Sequence, residues 1–203
     1  MKKITTKQIT ATALLLAICI LSQYFKNLSV YITGPIVNAV LIIAALGVGL
    51  GSGILISIIA PITAFFFTGS PIMAAIPLMF PTIMLGNIIL VVCAFYFNKM
   101  GRQSAASTMD KKKSSQFYLP AGLVIGSILK SAFMGIVVIY VLFPLFGENI
   151  ASNLPKPEML PKILAAAKIT FSVTQLITSF IGSFLAFLIW IPLKRALKND
   201  STM

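Results

Sequence analysis

Six long apolar runs, separated by short polar stretches, limit what this chain can fold into. An α-helix needs about 20 apolar residues to cross the ~30 Å hydrocarbon core of a bilayer. Apolar residues make up 58% of the 203 residues, charged residues only 10%, and the mean hydropathy is +0.99. The sequence therefore predicts an all-α integral membrane protein, a single six-helix membrane domain over residues 1–203 with spans at about 8–25, 32–50, 52–68, 72–98, 119–146 and 161–193.

The cationic residues predict how these helices are oriented. Of the sixteen Lys and Arg residues, eleven lie at the N-terminus, in a basic loop at 99–118 or in the C-terminal tail. The opposite side has three lysines and two acids, namely Lys26, Lys156, Lys162, Glu148 and Glu158. Because cytoplasmic loops are enriched in Lys and Arg, we expect both termini and the basic loop in the cytoplasm, and a multi-pass protein of the cell membrane. The net charge of +12 then reflects topology and does not indicate a nucleic-acid partner.

Glycine and proline mark the connections between the predicted spans. The stretch GVGLGSG at 47–53 predicts a tight turn between the second and third spans. Pro71, Pro77 and Pro81 predict that the first half of the fourth span is bent or partly unwound. Broken backbone is tolerated at membrane depth where it is buried or lines a cavity. The Ser- and Lys-rich segment 99–118 is expected to be a flexible cytoplasmic linker.

Two cations, Lys130 and Lys168, fall inside predicted spans. A charged side chain at the centre of a membrane helix costs about 2.5–3.5 kcal/mol on insertion scales, so such residues are functional candidates. All four acids are predicted to lie in loops or in the tail: Asp110, Glu148, Glu158 and Asp200. A buried lysine must therefore be neutral, bind carbonyls and amides, meet a loop acid, or meet an anion supplied from outside.

Helical periodicity predicts which way the polar residues of the last two spans face. Small residues and a lysine recur every four positions in the fifth span, at Gly122, Gly126, Lys130 and Met134, which indicates a face packed inward. The sixth span has one small and polar stripe, formed by Lys168, Ser172, Gln175, Ser179, Gly182 and Ala186. Two amides, Asn38 and Asn87, add polar groups at depth. These residues are consistent with a ligand cavity, and the alternative is interhelical hydrogen bonding alone.

The first span has two alanines one turn apart, Ala13 and Ala17, in the stretch ALLLA. Such a small-xxx-small face lets another helix approach closely, either within the protein or from a partner. Cys19 and Cys93 lie in separate apolar runs, and there is no histidine. Neither a disulfide nor a metal site is expected. A membrane enzyme is disfavoured, because intramembrane hydrolysis and transfer need carboxylate or histidine chemistry.

Taken over nearly its whole length, the chain resembles the substrate-binding S components of energy-coupling factor (ECF) vitamin transporters. The resemblance lies in the size, the six spans, the cytoplasmic N-terminus and the pair Ala13 and Ala17. The stretches GPIVNA and SPIMAAIPLMFPTIMLGN are also similar to that family. It implies a high-affinity substrate-binding subunit of an ABC importer, which captures a vitamin or related micronutrient outside and delivers it with a separate coupling module.

The resemblance also implies partners and site residues. The module would contain a transmembrane coupling protein, docked on Ala13 and Ala17, and two cytoplasmic ATPase subunits. The first loop, at 23–31, would be a lid. The substrate-binding residues would be Lys168, Gln175, Ser172, Asn87, Lys130, Asn38, Tyr24 and Tyr31, with no catalytic residue, metal or cofactor. Of the two lysines, Lys168 is expected in direct contact and Lys130 at the pocket floor or in a structural hydrogen bond.

Two questions remain open at the level of the sequence. The first is the substrate: two intramembrane lysines without an acid in any predicted span favour a carboxylate-bearing micronutrient, whose charge would pair with theirs. The second is whether the chain transports at all, since a non-transporting membrane anchoring or assembly subunit has the same composition. Ligand retention and association with the ATPase module separate these alternatives.

Overall fold

The computed structural model describes residues 5–25, 29–69, 71–107, 113–152 and 160–200, and the regular structure in these ranges is entirely helical. The elements are α1 (Thr6–Tyr24), α2 (Val30–Ile43), α3 (Leu50–Thr68), α4 (Pro71–Ala75), α5 (Met79–Ser107), α6 (Lys113–Ile136), α7 (Phe143–Ser152), α8 (Leu160–Ile169) and α9 (Gln175–Asp200). Within the described chain, six helices are long and apolar enough to cross a membrane. The predicted all-α membrane fold is confirmed.

Within the described ranges, three π-helical turns interrupt the long helices. One extends α2 over Ala44–Val48, one joins α6 to α7 over Val137–Leu142, and one joins α8 to α9 over Thr170–Thr174. A π turn makes i→i+5 hydrogen bonds and takes more residues than an α turn. Residues on its two sides therefore no longer follow a single α-helical register.

The turn between the second and third spans consists of a single residue. Gly49 alone separates the π turn from α3, and its φ of 147° is a conformation that side chains rarely adopt. Its N–H donates to the carbonyl of Ala44 at 3.0 Å and so ends the π turn. This turn confirms the prediction from GVGLGSG, because the backbone here requires glycine.

Proline breaks the fourth span where the sequence predicts it. The short helix α4 begins at Pro71, a first-turn position that needs no backbone donor. Residues 76–78, which include Pro77, are non-helical, and α5 starts at Met79. Pro81 lies in the first turn of α5, where its missing N–H also has no helical partner to lose.

The basic segment 99–118 differs from the predicted flexible linker. Helix α5 continues to Ser107 and α6 already starts at Lys113. Lys, Arg, Gln, Ala and Met are good helix formers, so the helices extend beyond their apolar parts. Only the short piece between these helices, 108–112, lies outside the described residues.

Close contacts between backbones assemble the bundle. Helix α5 packs most extensively on α6, and α2 on α9. A Cβ on Gly182 would lie 2.6 Å from both Asn38 Cβ and the Pro35 carbonyl oxygen, so only glycine fits between α9 and α2. Gly122 approaches Phe97 more closely still. The face predicted to pack inward in the fifth span is confirmed, since its four members are all buried.

We expect Gly182→Ala to destabilise the protein. Alanine favours a helix over glycine by about 1 kcal/mol, but overpacking typically costs about 1–3 kcal/mol, and here the added methyl meets rigid backbone. Gly147→Ala is the matched control, because nothing lies within 4 Å of its added Cβ. Thermal unfolding in detergent should give a lower midpoint for Gly182→Ala than for Gly147→Ala, and equal midpoints would contradict the packing argument.

Candidate functional site

A cavity of about 110 Å³ lies inside one end of the bundle. Its walls come from the last turn of α1, the first half of α2, the second half of α3, the first half of α5, the middle of α6 and the start of α9. This is the end opposite to the start of α1 and to the junction between α5 and α6. The cavity is therefore remote from the described basic residues Lys7, Lys99 and Arg102.

Lys130 forms the base of this cavity. Its side chain is only 3% exposed. The Nζ atom donates to Asn38 Oδ1 at 2.5 Å and to Asn87 Oδ1 at 2.8 Å, so one ammonium group joins α6 to α2 and α5. Of the residues predicted from the sequence, the structure thus brings together Lys130, Asn38 and Asn87, and Gln175 lines the same cavity.

Small residues let these three polar side chains meet. A Cβ on Gly86 would lie 2.9 Å from Met134, which shows how closely α5 approaches α6 one turn from Lys130. Gly182 has the corresponding role for Asn38, whose Cβ it contacts. The glycine positions thus hold the helices close enough for one lysine to bridge both amides.

The charge at the base of the cavity has only neutral neighbours. No carboxylate is among the described residues that line the cavity, and both hydrogen-bond partners of Lys130 are amides. Removing an ammonium group from water costs several kcal/mol, which neutral hydrogen bonds offset only in part. A lysine in this environment is stabilised either by losing its proton or by an additional negative charge next to it.

One prediction about the acids is wrong. Glu148 lies on helix α7 and Asp200 ends α9, so carboxylates are not confined to loops and the tail. The fifth span continues past its predicted end at 146, because the π turn and α7 prolong it to Ile150. The side chain of Glu148 is exposed and lies outside the lining of the cavity, so the base stays without an acid.

A serine cluster lies on α6 and α9 beyond Lys130, towards the basic end. Ser127 Oγ lies 3.0 Å from Ser183 Oγ and accepts from Ser179 Oγ at 3.1 Å. All three side chains are buried, and Ser127 is hydrogen-bonded to both of the others. Ala186 and Trp190 follow on α9 in an apolar cluster with Leu90. The cavity is therefore closed below its base by satisfied polar groups and then by tightly packed apolar side chains.

Gln23 is a cavity residue that the sequence did not single out. It is 2% exposed, donates through Nε2 to the Ala60 carbonyl at 3.0 Å and accepts from Thr63 Oγ1 at 2.7 Å. These bonds fix the end of α1 to α3. The signal that would have identified it is an amide in the last turn of an apolar helix. Thr33 and Thr178 also line the cavity and were not predicted.

Lys168 and Ser172 lie outside the cavity lining, although Gln175 belongs to it. Lys168 is exposed, and Ser172 packs towards Gly135 and donates to the Lys168 carbonyl at 2.5 Å. The π turn Thr170–Thr174 separates Lys168 from Gln175 and changes the register that the predicted stripe assumes. A binding role for Lys168 and Ser172 stays a prediction.

The aromatic residues of the predicted lid lie at helix ends. Tyr24 is 69% exposed and makes an edge contact with Phe67, the ring centroids being 6.3 Å apart. Tyr31 is 54% exposed, and its hydroxyl lies 3.5 Å from Thr174 Oγ1. Neither tyrosine lines the cavity, and residues 26–28 between them lie outside the described residues. The lid stays a prediction.

Ala13 and Ala17 are both exposed on the outer side of α1. Ala13 also borders a groove of about 560 Å³ between α1 and the Gly49 turn. The groove lies at the end of the bundle opposite to the cavity, next to a hydrogen bond of 2.8 Å between Thr12 Oγ1 and Ser52 Oγ. This face of α1 is thus free of packing within the described bundle and available to another helix.

Six apolar helices around a small cavity, with Lys130, Asn38 and Asn87 among its lining residues, are the architecture of a multi-pass membrane protein. Residues 7–193 match the family model of the ECF transporter, substrate-specific component, and the chain belongs to this family. It is therefore a substrate-specific transporter subunit, and the family's members are transport subunits and not enzymes. No curated protein and no solved structure matches the chain.

Proposed function

We propose that this protein is the high-affinity substrate-binding subunit of an ECF-type importer. It captures a vitamin or related micronutrient outside the cell and delivers it with a transmembrane coupling protein and two ATPase subunits. The observation that carries the proposal is the cavity with Lys130 at its base, a buried lysine whose hydrogen-bond partners among the described residues are Asn38 and Asn87. Intramembrane charges of this kind mark substrate pathways in transporters.

The position of the cavity supports capture from outside. Basic segments lie at the start of α1, at the junction of α5 and α6 and at the end of α9, and the cavity lies at the other end of the bundle. By the positive-inside rule the basic end is cytoplasmic. The cavity then opens towards the outer face of the cell membrane, where a nutrient arrives.

The charge of the cavity supports a carboxylate-bearing substrate. Lys130 has no acid among the described residues around it, so a bound anion supplies its counter-charge. The pairing of an ammonium group with a carboxylate gives the strongest class of hydrogen bond in proteins. Gln175 and Thr178 on α9 and Thr33 on α2 are placed to bind polar groups on the remainder of the molecule.

The exposed alanine face of α1 supports docking on the coupling protein. Ala13 and Ala17 leave a shallow surface on which a second helix packs closely. The neighbouring groove at the Gly49 turn lies at the same, basic end, which is the end nearest to cytoplasmic ATPase subunits. Substrate binding and docking thus use opposite ends of one bundle.

Ligand retention tests the proposal. The protein is purified in mild detergent with and without the co-expressed ATPase module, denatured in organic solvent, and the released small molecules are identified by mass spectrometry. We expect one micronutrient in stoichiometric amount and co-purification of the module. A protein that holds no small molecule and does not associate with the module would instead be an anchoring or assembly subunit.

A further inference from the structure

The contacts of Lys130 fix how both amides at the base of the cavity are turned. A lysine ammonium has three N–H donors and no acceptor. Asn38 and Asn87 must therefore each present the carbonyl oxygen to Nζ, as the distances of 2.5 and 2.8 Å show. With Lys130 in its ammonium form, a flipped amide would place N–H against N–H. Both NH₂ groups consequently point away from Lys130.

These NH₂ groups are available to a ligand. Neither Asn38 Nδ2 nor Asn87 Nδ2 donates to another described residue. Among the described side chains, the one enclosed polar atom without a partner is Trp190 Nε1, so the two amide nitrogens are accessible in the cavity that both residues line. Two of the three Lys130 donors are used, and the third remains. The free groups of these three side chains at the base of the cavity are therefore mostly N–H donors, since one lone pair of each amide oxygen is already used by Lys130.

We infer that the base of this cavity is a specific carboxylate site, in which Asn38 and Asn87 select the ionised acid against its neutral amide and alcohol analogues. The inference rests on the proposed function and deepens it. A carboxylate is acceptor-only and has about four lone-pair positions, which match the donors of one ammonium and two amide groups. A carboxamide or hydroxyl group instead brings its own donors towards the donors of the protein.

The size of the expected discrimination follows from two terms. A neutral analogue lacks the charge-assisted bond to Lys130, and its N–H or O–H faces Asn38 or Asn87 without an acceptor. Unmatched buried polar groups cost about 1–3 kcal/mol each, and each 1.4 kcal/mol is tenfold in affinity. We therefore expect the acid to bind about a hundredfold or more tightly than its neutral analogue.

Matched pairs of small molecules test this selectivity. The full chain in detergent or nanodiscs is titrated with nicotinate and nicotinamide, pantothenate and pantothenol, and benzoate and benzamide, with thermal shift and calorimetry as readouts. We expect stabilisation by acids and little or none by their neutral partners. Equal binding of acid and neutral analogue, or no response to any acid, would overturn the inference.

An isosteric variant tests the role of the amides. Asn87→Asp keeps the size of the side chain and the acceptor for Lys130, but it supplies the counter-charge internally. We expect a folded protein with an unchanged or higher unfolding midpoint and with acid binding weakened about a hundredfold or more, because the variant has no donor to offer and repels an anion. Asn38→Asp should behave in the same way. Asn98→Asp, at the other end of α5, is the control with unchanged binding.

Acid binding unchanged in both aspartate variants would show that the acid does not bind next to Asn38, Asn87 and Lys130, which would refute the carboxylate site. Failure of the inference is distinguishable from failure of the proposed function. A neutral micronutrient retained by the purified protein leaves the transporter function intact and removes the carboxylate site. A protein with no retained ligand and no bound module removes the function itself.

Discussion

Lys130→Met is expected to lower the affinity for the native micronutrient by about two to three orders of magnitude. Removing one partner of a buried charge pair typically costs about 3–5 kcal/mol, because the other charge is left without compensation. Under the proposed function, that other charge is the carboxylate of the ligand. Methionine has nearly the length and volume of lysine, so the packing against Met134 and Gly86 is largely kept.

The measurement is equilibrium binding by calorimetry on purified protein, together with its thermal unfolding. Lys162→Met is the matched control, because Lys162 is an exposed lysine of α8 outside the cavity lining, and its affinity should not change. Unchanged affinity in a folded Lys130→Met protein would show that Lys130 only bridges α2, α5 and α6. A midpoint shift without an affinity change would show the same.

The same substitution to methionine compares the contributions of Lys130 and Lys168 to substrate affinity. The sequence predicts that Lys168 contacts the substrate, and by that prediction Lys168→Met weakens binding by one or two orders of magnitude. The structure places Lys168 at an exposed position beyond the π turn Thr170–Thr174, so we expect a much smaller loss than for Lys130→Met. A larger loss for Lys168→Met would indicate that the substrate extends past the cavity towards α8.

Regular helix explains which parts of the site the sequence predicts well. Gly122, Gly126, Lys130 and Met134 lie on one uninterrupted α-helix, so a period of about four residues gives the correct face. The same reasoning gives a wrong register for the sixth span, because this span contains a π turn that the composition does not predict. Within that turn Ser172 packs against Gly135, a contact that local spacing does not predict.

Partners across helices are the second limit. Asn38 and Asn87 are recognisable in the sequence as amides at depth, but their shared contact with Lys130 depends on how α2, α5 and α6 cross. Gln23 shows the same limit, since its bonds to Ala60 and Thr63 on α3 arise from tertiary packing. Composition and periodicity predict which side chains are buried, and the helix crossings decide which of them meet.

Ala17→Trp is expected to weaken coupling strongly while leaving substrate binding intact. Ala17 is exposed on α1, so the larger side chain does not disturb the bundle. A close helix–helix interface built on small residues tolerates added volume poorly, at a typical cost of about 1–3 kcal/mol. We therefore expect recovery of the complex with the coupling protein, and uptake into cells, to fall by about tenfold or more.

Ala132→Trp is the matched control, because Ala132 is an exposed alanine on α6 and belongs neither to α1 nor to the cavity lining. Its complex and its uptake should equal those of the original protein. The two readouts together separate the possible outcomes: in Ala17→Trp, calorimetry should give an unchanged dissociation constant while co-purification fails. Full uptake by Ala17→Trp would show that the coupling protein docks elsewhere. Weakened substrate binding would show that the position of α1 also shapes the cavity, because Gln23 at the other end of α1 lines it.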